Sequence, residues 1–195
     1  RVKRGLGTIR QDVNVSIKGG VRVEVKGAQD LRAIPTLVDL EIKRQMELLN
    51  IKKDLSGIKL NEFKIYDITK LLQKSKAKVI ESAIKVKGKI LALRLNEFSG
   101  IIGKELQPNY RVGSEFSGRA KIKAGVKGIF HSDELPNYGI TKDEVDLIKK
   151  ELKCKEKDAF VLVAALEDKA KIALSAVYER AEELFTGVPK EVRKA

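Results

Sequence analysis

The chain has 195 residues, of which 43% are hydrophobic and 34% are charged, and its formal net charge is +13. This apolar content is enough for one or two domains with a real core, and no apolar run approaches the roughly 18 residues of a membrane span or fits a signal peptide. A single cysteine, Cys154, and a single histidine, His131, exclude an internal disulfide and an ordinary zinc site. The composition predicts a soluble, cytoplasmic protein. Because the chain starts at Arg1 and its one methionine is Met46, we expect a piece of a longer protein.

The positive charge is concentrated in the first half of the chain. Residues 1–97 hold 22 Lys and Arg against 11 Asp and Glu, a net +11, whereas residues 98–195 hold 18 against 16, a net +2. Such asymmetry favours a polyanion as the partner of the first half. Heat adaptation would explain the high content of charged residues, but it would not explain the asymmetry.

Two predicted strands joined by a glycine turn open the chain. Apolar and polar residues alternate over Thr8–Ile17, with Gln11 as the one exception, and over Val21–Lys26, which predicts one buried and one polar face. Because antiparallel partners point to the same face, a three-residue loop at Lys18-Gly19-Gly20 is predicted, since it keeps both faces uniform. The resulting register pairs Ser16 with Arg22, Asn14 with Glu24, and Asp12 with Lys26.

The polar face of this hairpin gathers carboxylates, an amide, a hydroxyl and cations. Asp12 and Glu24 are oxygen donors suited to Mg²⁺, and Arg10 and Lys26 suit phosphate or carboxylate. The alternative is a solvated sheet face, because opposite charges across strands stabilise a sheet by roughly 0.2–1 kcal/mol per pair. Spacing alone leaves both interpretations open.

Two helices are predicted in the rest of the first half. Asp30 can cap a helix, Pro35 lies in its first turn or marks a restart there, and apolar residues recur at three- and four-residue steps. We expect this helix to cover the apolar face of the hairpin with Leu31, Ile34, Val38, Ile42, Met46 and Leu49. A short strand at Lys64–Ile68 and a helix from Asp67 or Thr69 to about Lys85 come next.

A compact α+β unit is predicted to begin near Gly88. Lys89–Leu95, Val126–His131 and Ala159–Leu166 are predicted strands, and the last is central because it is continuously apolar. The glycine-rich stretch Phe98–Gly118 is predicted to be irregular or loop-rich. A smaller basic cluster follows it, comprising Arg119, Lys121, Lys123 and Lys127.

Two further helices complete this unit. Thr141 and Glu144 form a capping box at the start of one, because hydroxyl and carboxylate can satisfy free backbone amides. The other is predicted to begin at Asp168 and to stop at Gly187 and Pro189.

Particular residues now indicate a family. Gly7–Ser16 (GTIRQDVNVS) and Val23–Gly27 (VEVKG) resemble the end of the catalytic domain in the B and E subunits of glutamyl-tRNA(Gln) amidotransferases, and Lys26–Gln29 (KGAQ) resembles the archaeal E type. The stretch from about Lys87 to Phe185, with its segment Gly128–Pro136 (GIFHSDELP), is similar to the insertion domain shared with bacterial-type aspartyl-tRNA synthetase.

The resemblance implies a fold and a division of the chain. It predicts an α+β protein in which a β-hairpin and helix segment of a larger catalytic domain is followed by a compact α+β insertion domain. Residues 1–86 would be the C-terminal part of the catalytic cradle, and residues 87–195 would be the insertion domain.

The resemblance also implies an activity. The E subunit uses ATP and Mg²⁺ to phosphorylate the γ-carboxylate of glutamate on tRNA(Gln), and ammonia from an asparaginase-like D subunit then displaces the phosphate. By this resemblance Asp12 and Glu24 are catalytic and hold the metal, Arg10 and Lys26 meet phosphate or the γ-carboxylate, and Asn14 and Ser16 orient these groups. We expect the isolated chain to lack amidotransferase activity, because the family's catalytic domain is much larger.

Two other interpretations stay open at this stage. The chain is alternatively a non-catalytic module that binds tRNA or a partner subunit, with the basic cluster Arg119–Lys127 as the candidate tRNA surface. A piece of aspartyl-tRNA synthetase is a third interpretation, although only the second half resembles that enzyme. With 5% aromatic residues, readout of single strands by base stacking is disfavoured.

Overall fold

A computed structural model of the chain describes residues 10–195. The start of the first predicted strand, Thr8 and Ile9, and Gly7 of the family motif lie outside the described residues. The strands are β1 (Gln11–Val15), β2 (Val23–Ala28), β3 (Ile65–Asp67), β4 (Lys89–Leu95), β5 (Glu105–Gln107), β6 (Tyr110–Arg111), β7 (Phe130–His131), β8 (Ala159–Ala165) and β9 (Val192–Lys194). The helices are α1 (Ile34–Asp54), α2 (Lys78–Lys85), α3 (Val112–Ala124), α4 (Lys142–Glu151) and α5 (Glu167–Thr186), with a 3₁₀ turn at Leu31–Ala33.

The chain forms two compact units. The first contains the described residues up to Ser56 together with Glu105–Tyr110 and Glu183–Ala195, and the second contains Gly57–Lys104 and Arg111–Glu182. This division differs from the predicted boundary between residues 86 and 87, because β3 pairs with β4 and two α2 side chains, Ile80 and Ala83, are buried. The stretch 57–86 therefore belongs structurally with the second unit.

The hairpin of the first unit confirms the predicted alternation and most of the predicted register. Asn14 lies opposite Glu24, and Val15 lies opposite Val23. Val15, Val23 and Val25 are buried, while the polar residues between them face outwards. The predicted three-residue loop therefore gives the observed register, but the connection between the two strands is longer than three residues.

Both ends of the hairpin differ from the prediction. The strands stop at Val15 and start again at Val23, so Ser16 and Arg22 lie in the connection, where Gly20 N–H donates to Ile17 O at 3.0 Å. At the other end, Gln11 lies opposite Ala28 and Val13 lies opposite Val25, so β2 has one extra residue between these two pairs. Gly27 lies in this interval and adopts a positive φ of 85°. This β-bulge, which glycine accommodates, replaces the simple predicted pairing of Asp12 with Lys26.

The predicted inner face of α1 is right only in part, because Ile34, Val38, Ile42 and Leu49 are half-buried. Leu31 before the helix and Met46 within it are 53% and 54% exposed. The buried side instead carries Glu41, Arg44, Gln45, Leu48 and Ile51. Three of these five residues are polar or charged and they bond to one another, so hydrophobic periodicity alone did not identify the most buried side. Asp30 caps the 3₁₀ turn at Leu31–Ala33 instead of α1, whose N-cap is Ala33. The predicted Pro35 in the first turn of α1 is confirmed.

The second unit is built on a four-stranded antiparallel sheet in the order β3-β4-β8-β7. β4 and β8 pair along seven residues each, from Lys89 opposite Ala165 to Leu95 opposite Ala159. β8 is fully buried over its first five residues, which confirms the predicted central strand. The core joins this sheet to α2 and α4 through residues such as Ile80, Ile148 and Leu152.

Two helix predictions in the second unit need correction. α2 begins at Lys78 instead of Asp67 or Thr69, because residues 69–74 form turns and Asp67 Oδ1 accepts the Thr69 N–H at 3.0 Å. The predicted loop at Phe98–Gly118 contains β5, β6 and the start of α3. Val112, Phe116 and Ala120 are fully buried at four-residue spacing, so tertiary packing outweighs the glycines of that helix.

The predicted capping box of α4 is confirmed. Thr141 Oγ1 accepts the Glu144 N–H at 3.2 Å, and Glu144 Oε2 accepts the Thr141 N–H at 2.7 Å. The predicted last helix is confirmed as α5, which ends at Thr186 just before Gly187.

Candidate functional site

The outward face of the hairpin presents the six residues predicted for catalysis and phosphate binding. Arg10, Asp12, Asn14, Ser16 and Lys26 are exposed, and Glu24 is half-buried. The buried valines of the same strands hold this face in place from below. Asp12, Asn14, Glu24 and Lys26 lie on β1 and β2, whereas Arg10 precedes β1 and Ser16 follows it.

Contacts within this face are few. Lys26 Nζ lies 3.8 Å from Glu24 Oε1, and Asn14 is the cross-strand neighbour of Glu24. Asp12 is exposed and makes no hydrogen bond or ion pair with any residue in the range 10–195. An exposed pair such as Lys26–Glu24 contributes under about 1 kcal/mol, so the face is not held in one state by its own charges.

A third strand extends this face with a cation that the sequence reasoning missed. β9 runs parallel to β2, with Lys194 opposite Lys26 and Val192 opposite Glu24. Partners in a sheet point to the same side, and Lys194 is exposed, so it joins Lys26 on the polar face. Three residues carry too little alternation to predict such a strand.

A charged network lies under the hairpin in the first unit. Arg44, which is fully buried, donates to Glu41 at 3.0 Å and also to Glu191. Arg193 Nε lies 3.7 Å from Glu41 Oε2. Gln45 Nε2 donates to Glu41 Oε1 and to the backbone oxygen of Val15, both at 3.2 Å. Through that last bond the network fixes the end of β1.

Comparison with known proteins identifies the family. The GatB/GatE catalytic domain matches residues 1–97, and the GAD domain matches residues 80–174. The E subunit of the glutamyl-tRNA(Gln) amidotransferase in Methanococcus vannielii is 53% identical over 196 residues, which cover the whole of this chain. The chain belongs to the family of glutamyl-tRNA(Gln) amidotransferase E subunits.

Two other E subunits give the same result. The Pyrococcus abyssi protein is 52% identical over 199 residues, and the Methanocaldococcus jannaschii protein is 51% identical over 197 residues. In each case the alignment covers 100% of this chain and 31% of the relative. The chain thus spans about a third of the length of these relatives. All six residues of the polar hairpin face fall within the segment that matches the GatB/GatE catalytic domain.

The side-chain types of this face are those that commonly bind magnesium and nucleotide phosphates. Mg²⁺ keeps several waters and is commonly bound by one or two carboxylates together with substrate phosphates, so Asp12 and Glu24 are a suitable pair. Within residues 10–195 there is no group of three or more His, Cys, Asp or Glu that could hold a metal ion.

The predicted basic cluster does not form one surface. Successive helix residues are rotated by about 100°, so Lys121 points about 160° away from Arg119 on α3. Lys123 pairs with Glu179, and Lys127 lies beyond the helix beside Val126 and Gly128 in a separate groove. The four residues share the segment that matches the GAD domain, but the structure does not bring them together.

A search of the described helices found none that is both long enough and apolar enough to cross a membrane.

Proposed function

We propose that this chain is part of a tRNA-dependent amidotransferase that converts Glu-tRNA(Gln) to Gln-tRNA(Gln). The observation that carries this proposal is the match of the whole chain, at about half identity, to proteins named as the E subunits of that amidotransferase. The reaction would be an ATP-dependent phosphorylation of the γ-carboxylate followed by amidation. The partners would be tRNA(Gln) charged with glutamate and an asparaginase-like D subunit that supplies ammonia.

The polar hairpin face would be one wall of the phosphorylation site. Phosphoryl transfer depends on positioning and on neutralising charge, so a site needs carboxylates for metal and cations for phosphate. Asp12 and Glu24 would hold Mg²⁺, whose role when bound is to neutralise phosphate charge. Arg10, Lys26 and Lys194 would bind phosphate or the γ-carboxylate.

The two neutral residues of the face would orient these groups. Asn14 is the direct neighbour of Glu24 across the strands, so its amide can fix the direction of that carboxylate. Ser16 stands at the turn end, where its hydroxyl can donate to a phosphate oxygen. The face is open, and the relatives of the chain are about three times longer than it is. We therefore expect the 195-residue chain alone to lack amidotransferase activity.

The test is a pair of isosteric substitutions in the complete amidotransferase. Asp12→Asn and Glu24→Gln each remove one negative charge and keep side-chain size. We expect ATP-dependent conversion of Glu-tRNA(Gln), with free ammonia supplied, to fall about a hundredfold or more, the usual cost of losing a positioned electrostatic group. Affinity for tRNA is measured in parallel and should stay within about twofold.

A matched control separates the site from a general charge effect. Asp39→Asn removes the same charge from an exposed position on α1 and should leave activity unchanged. If both hairpin variants retain near-normal activity, the face is a solvated sheet surface and the chain is instead a module that binds tRNA or a partner subunit. Amidation by the isolated chain would contradict the expected inactivity.

A further inference from the structure

A polar cavity lies entirely within the second unit, between one face of α3 and the segment that contains β7. Its volume is about 360 Å³, which is within the range of small-ligand sites. The polar residues that line it are Arg111, Ser114, Ser117, Lys121, His131 and Glu134. This site is distinct in its residues from the hairpin face, and no role proposed above uses Arg111 or His131.

The α3 side of the cavity is a row of donors. Ser114 and Ser117 follow Arg111 at three-residue steps, and Lys121 follows one turn later, so all four share one face of the helix. Gly118 also lines the cavity, and a Cβ there would have no atom within 4 Å. Two hydroxyls with a cation at each end thus border an open space.

His131 supplies an independent sign that this space receives a ligand. The residue is only 7% exposed, yet its Nδ1 is buried and has no hydrogen-bond partner among residues 10–195. Its Nε2 lies 3.8 Å from Glu134 Oε2 and 2.6 Å from the position that a Cβ of Gly113 would take. Buried polar side chains usually have partners, so an imidazole left in this state lining a cavity calls for one.

The backbone at the start of α3 is already satisfied. Val112 N–H donates to Lys104 O at 3.1 Å, Gly113 N–H donates to Ile102 O at 2.8 Å, and Arg111 N–H donates to Ser114 Oγ at 3.1 Å. Recognition in the cavity therefore falls to side chains, and the cations select an anion with several acceptor oxygens.

The single carboxylate of the cavity is already engaged. Glu134 accepts the backbone N–H of His131 at 3.2 Å and the Tyr138 hydroxyl at 3.3 Å. Its charge balances only one of the two lining cations. Arg111 and Lys121 are exposed and make no ion pair within residues 10–195, so positive charge is left for a ligand.

We propose that this cavity binds a phosphate group, with Arg111 and Lys121 as its cations, Ser114 and Ser117 as hydroxyl donors, and His131 as a donor from the rear wall. The phosphate would come either from an RNA backbone or from a free phosphate or mononucleotide, because both present the same oxygens. The proposal does not depend on the hairpin chemistry.

His131 also provides the measurement, because it is the one histidine in the chain. Burial lowers the pKa of His131, while Glu134 and Asp133 raise it and Arg111 lowers it. A phosphate dianion in the cavity would stabilise the protonated ring, so binding should raise that pKa. The ring ¹H–¹³C signal of the untagged full chain reports this pKa without ambiguity.

The experiment titrates the chain with inorganic phosphate and, separately, with unacylated tRNA at constant ionic strength. We expect a saturable shift of the His131 signal and a rise in its pKa. Arg111→Gln and Lys121→Gln should each weaken binding about tenfold, the scale of one charge-assisted hydrogen bond. Lys150→Gln removes one charge from an exposed position of α4 outside the cavity and should bind as the parent chain does.

The two arms identify the source of the phosphate. A response to inorganic phosphate that the Arg111 and Lys121 variants lose supports a site for free phosphate or a mononucleotide. A response to tRNA alone, lost in the same variants, supports an RNA backbone phosphate. If neither ligand shifts His131, or if Lys150→Gln weakens binding as much as Arg111→Gln, the proposal is wrong.

Discussion

Arg44 shows how far a single residue can depart from a hydrophobic pattern. It is fully buried on α1 and bonds to Glu41 and Glu191, with Arg193 beside the same carboxylates. The spacing of apolar residues around Met46 predicted a different inner face, because a search for apolar positions does not detect a charged residue that is buried and paired. The sequence of α1 alone could not reveal this network, since two of its members lie more than 140 positions away along the chain.

Removing Arg44 should destabilise the first unit strongly. Arg44→Met keeps the volume but leaves Glu41 and Glu191 with less compensation in a buried site, which typically costs about 3–5 kcal/mol. The free energy of unfolding from urea melts measures this loss. Lys43→Met, at the neighbouring exposed position, should change stability by under about 0.5 kcal/mol. A loss under about 1 kcal/mol for Arg44→Met would show that the network contributes little.

Helix α3 shows the same limit at the scale of an element. The glycine-rich sequence around it predicted an irregular or loop-rich stretch, yet Val112, Phe116 and Ala120 anchor the helix by packing. Gly113 is explained by a close approach, because a Cβ there would lie 2.6 Å from His131 Nε2 and 3.3 Å from Ile102 O. The elements that the sequence did predict, β4, β8 and α4, are those whose local pattern and tertiary packing agree.

The two glycines of α3 make a matched test of this explanation. Gly118→Ala meets no atom within 4 Å and should stabilise the chain by about 0.5–1 kcal/mol, because alanine is favoured over glycine inside a helix. Gly113→Ala has the same intrinsic gain but collides with the His131 ring, so it should destabilise by about 1–3 kcal/mol. Thermal unfolding of both variants checks the opposite signs. Equal gains would mean that the ring moves aside freely.

At the scale of the whole molecule, sequence reasoning found the hairpin face and the family but predicted a basic cluster that the fold divides. The register of the hairpin followed from alternation and the turn, which are local. The cluster Arg119–Lys127 looked continuous in sequence, but helix rotation and the Lys123–Glu179 pair separate its members. Four exposed lysines that are close in sequence, Lys70, Lys74, Lys76 and Lys78, contribute to the net charge of +11 in residues 1–97.

The salt dependence of tRNA binding decides between these two basic sets. Each phosphate contact contributes about 0.7–0.9 to the slope of log affinity against log salt concentration. We expect replacement of the four lysines at 70–78 by glutamine to reduce this slope by about 2 or more, because none of the four forms an ion pair within the described part of the chain. The matched set, Arg119, Lys121, Lys123 and Lys127 to glutamine, removes the same charge and should reduce the slope by less than half as much. If the second set has the larger effect, the α3 region is the tRNA surface, even though the fold does not bring its four cations together.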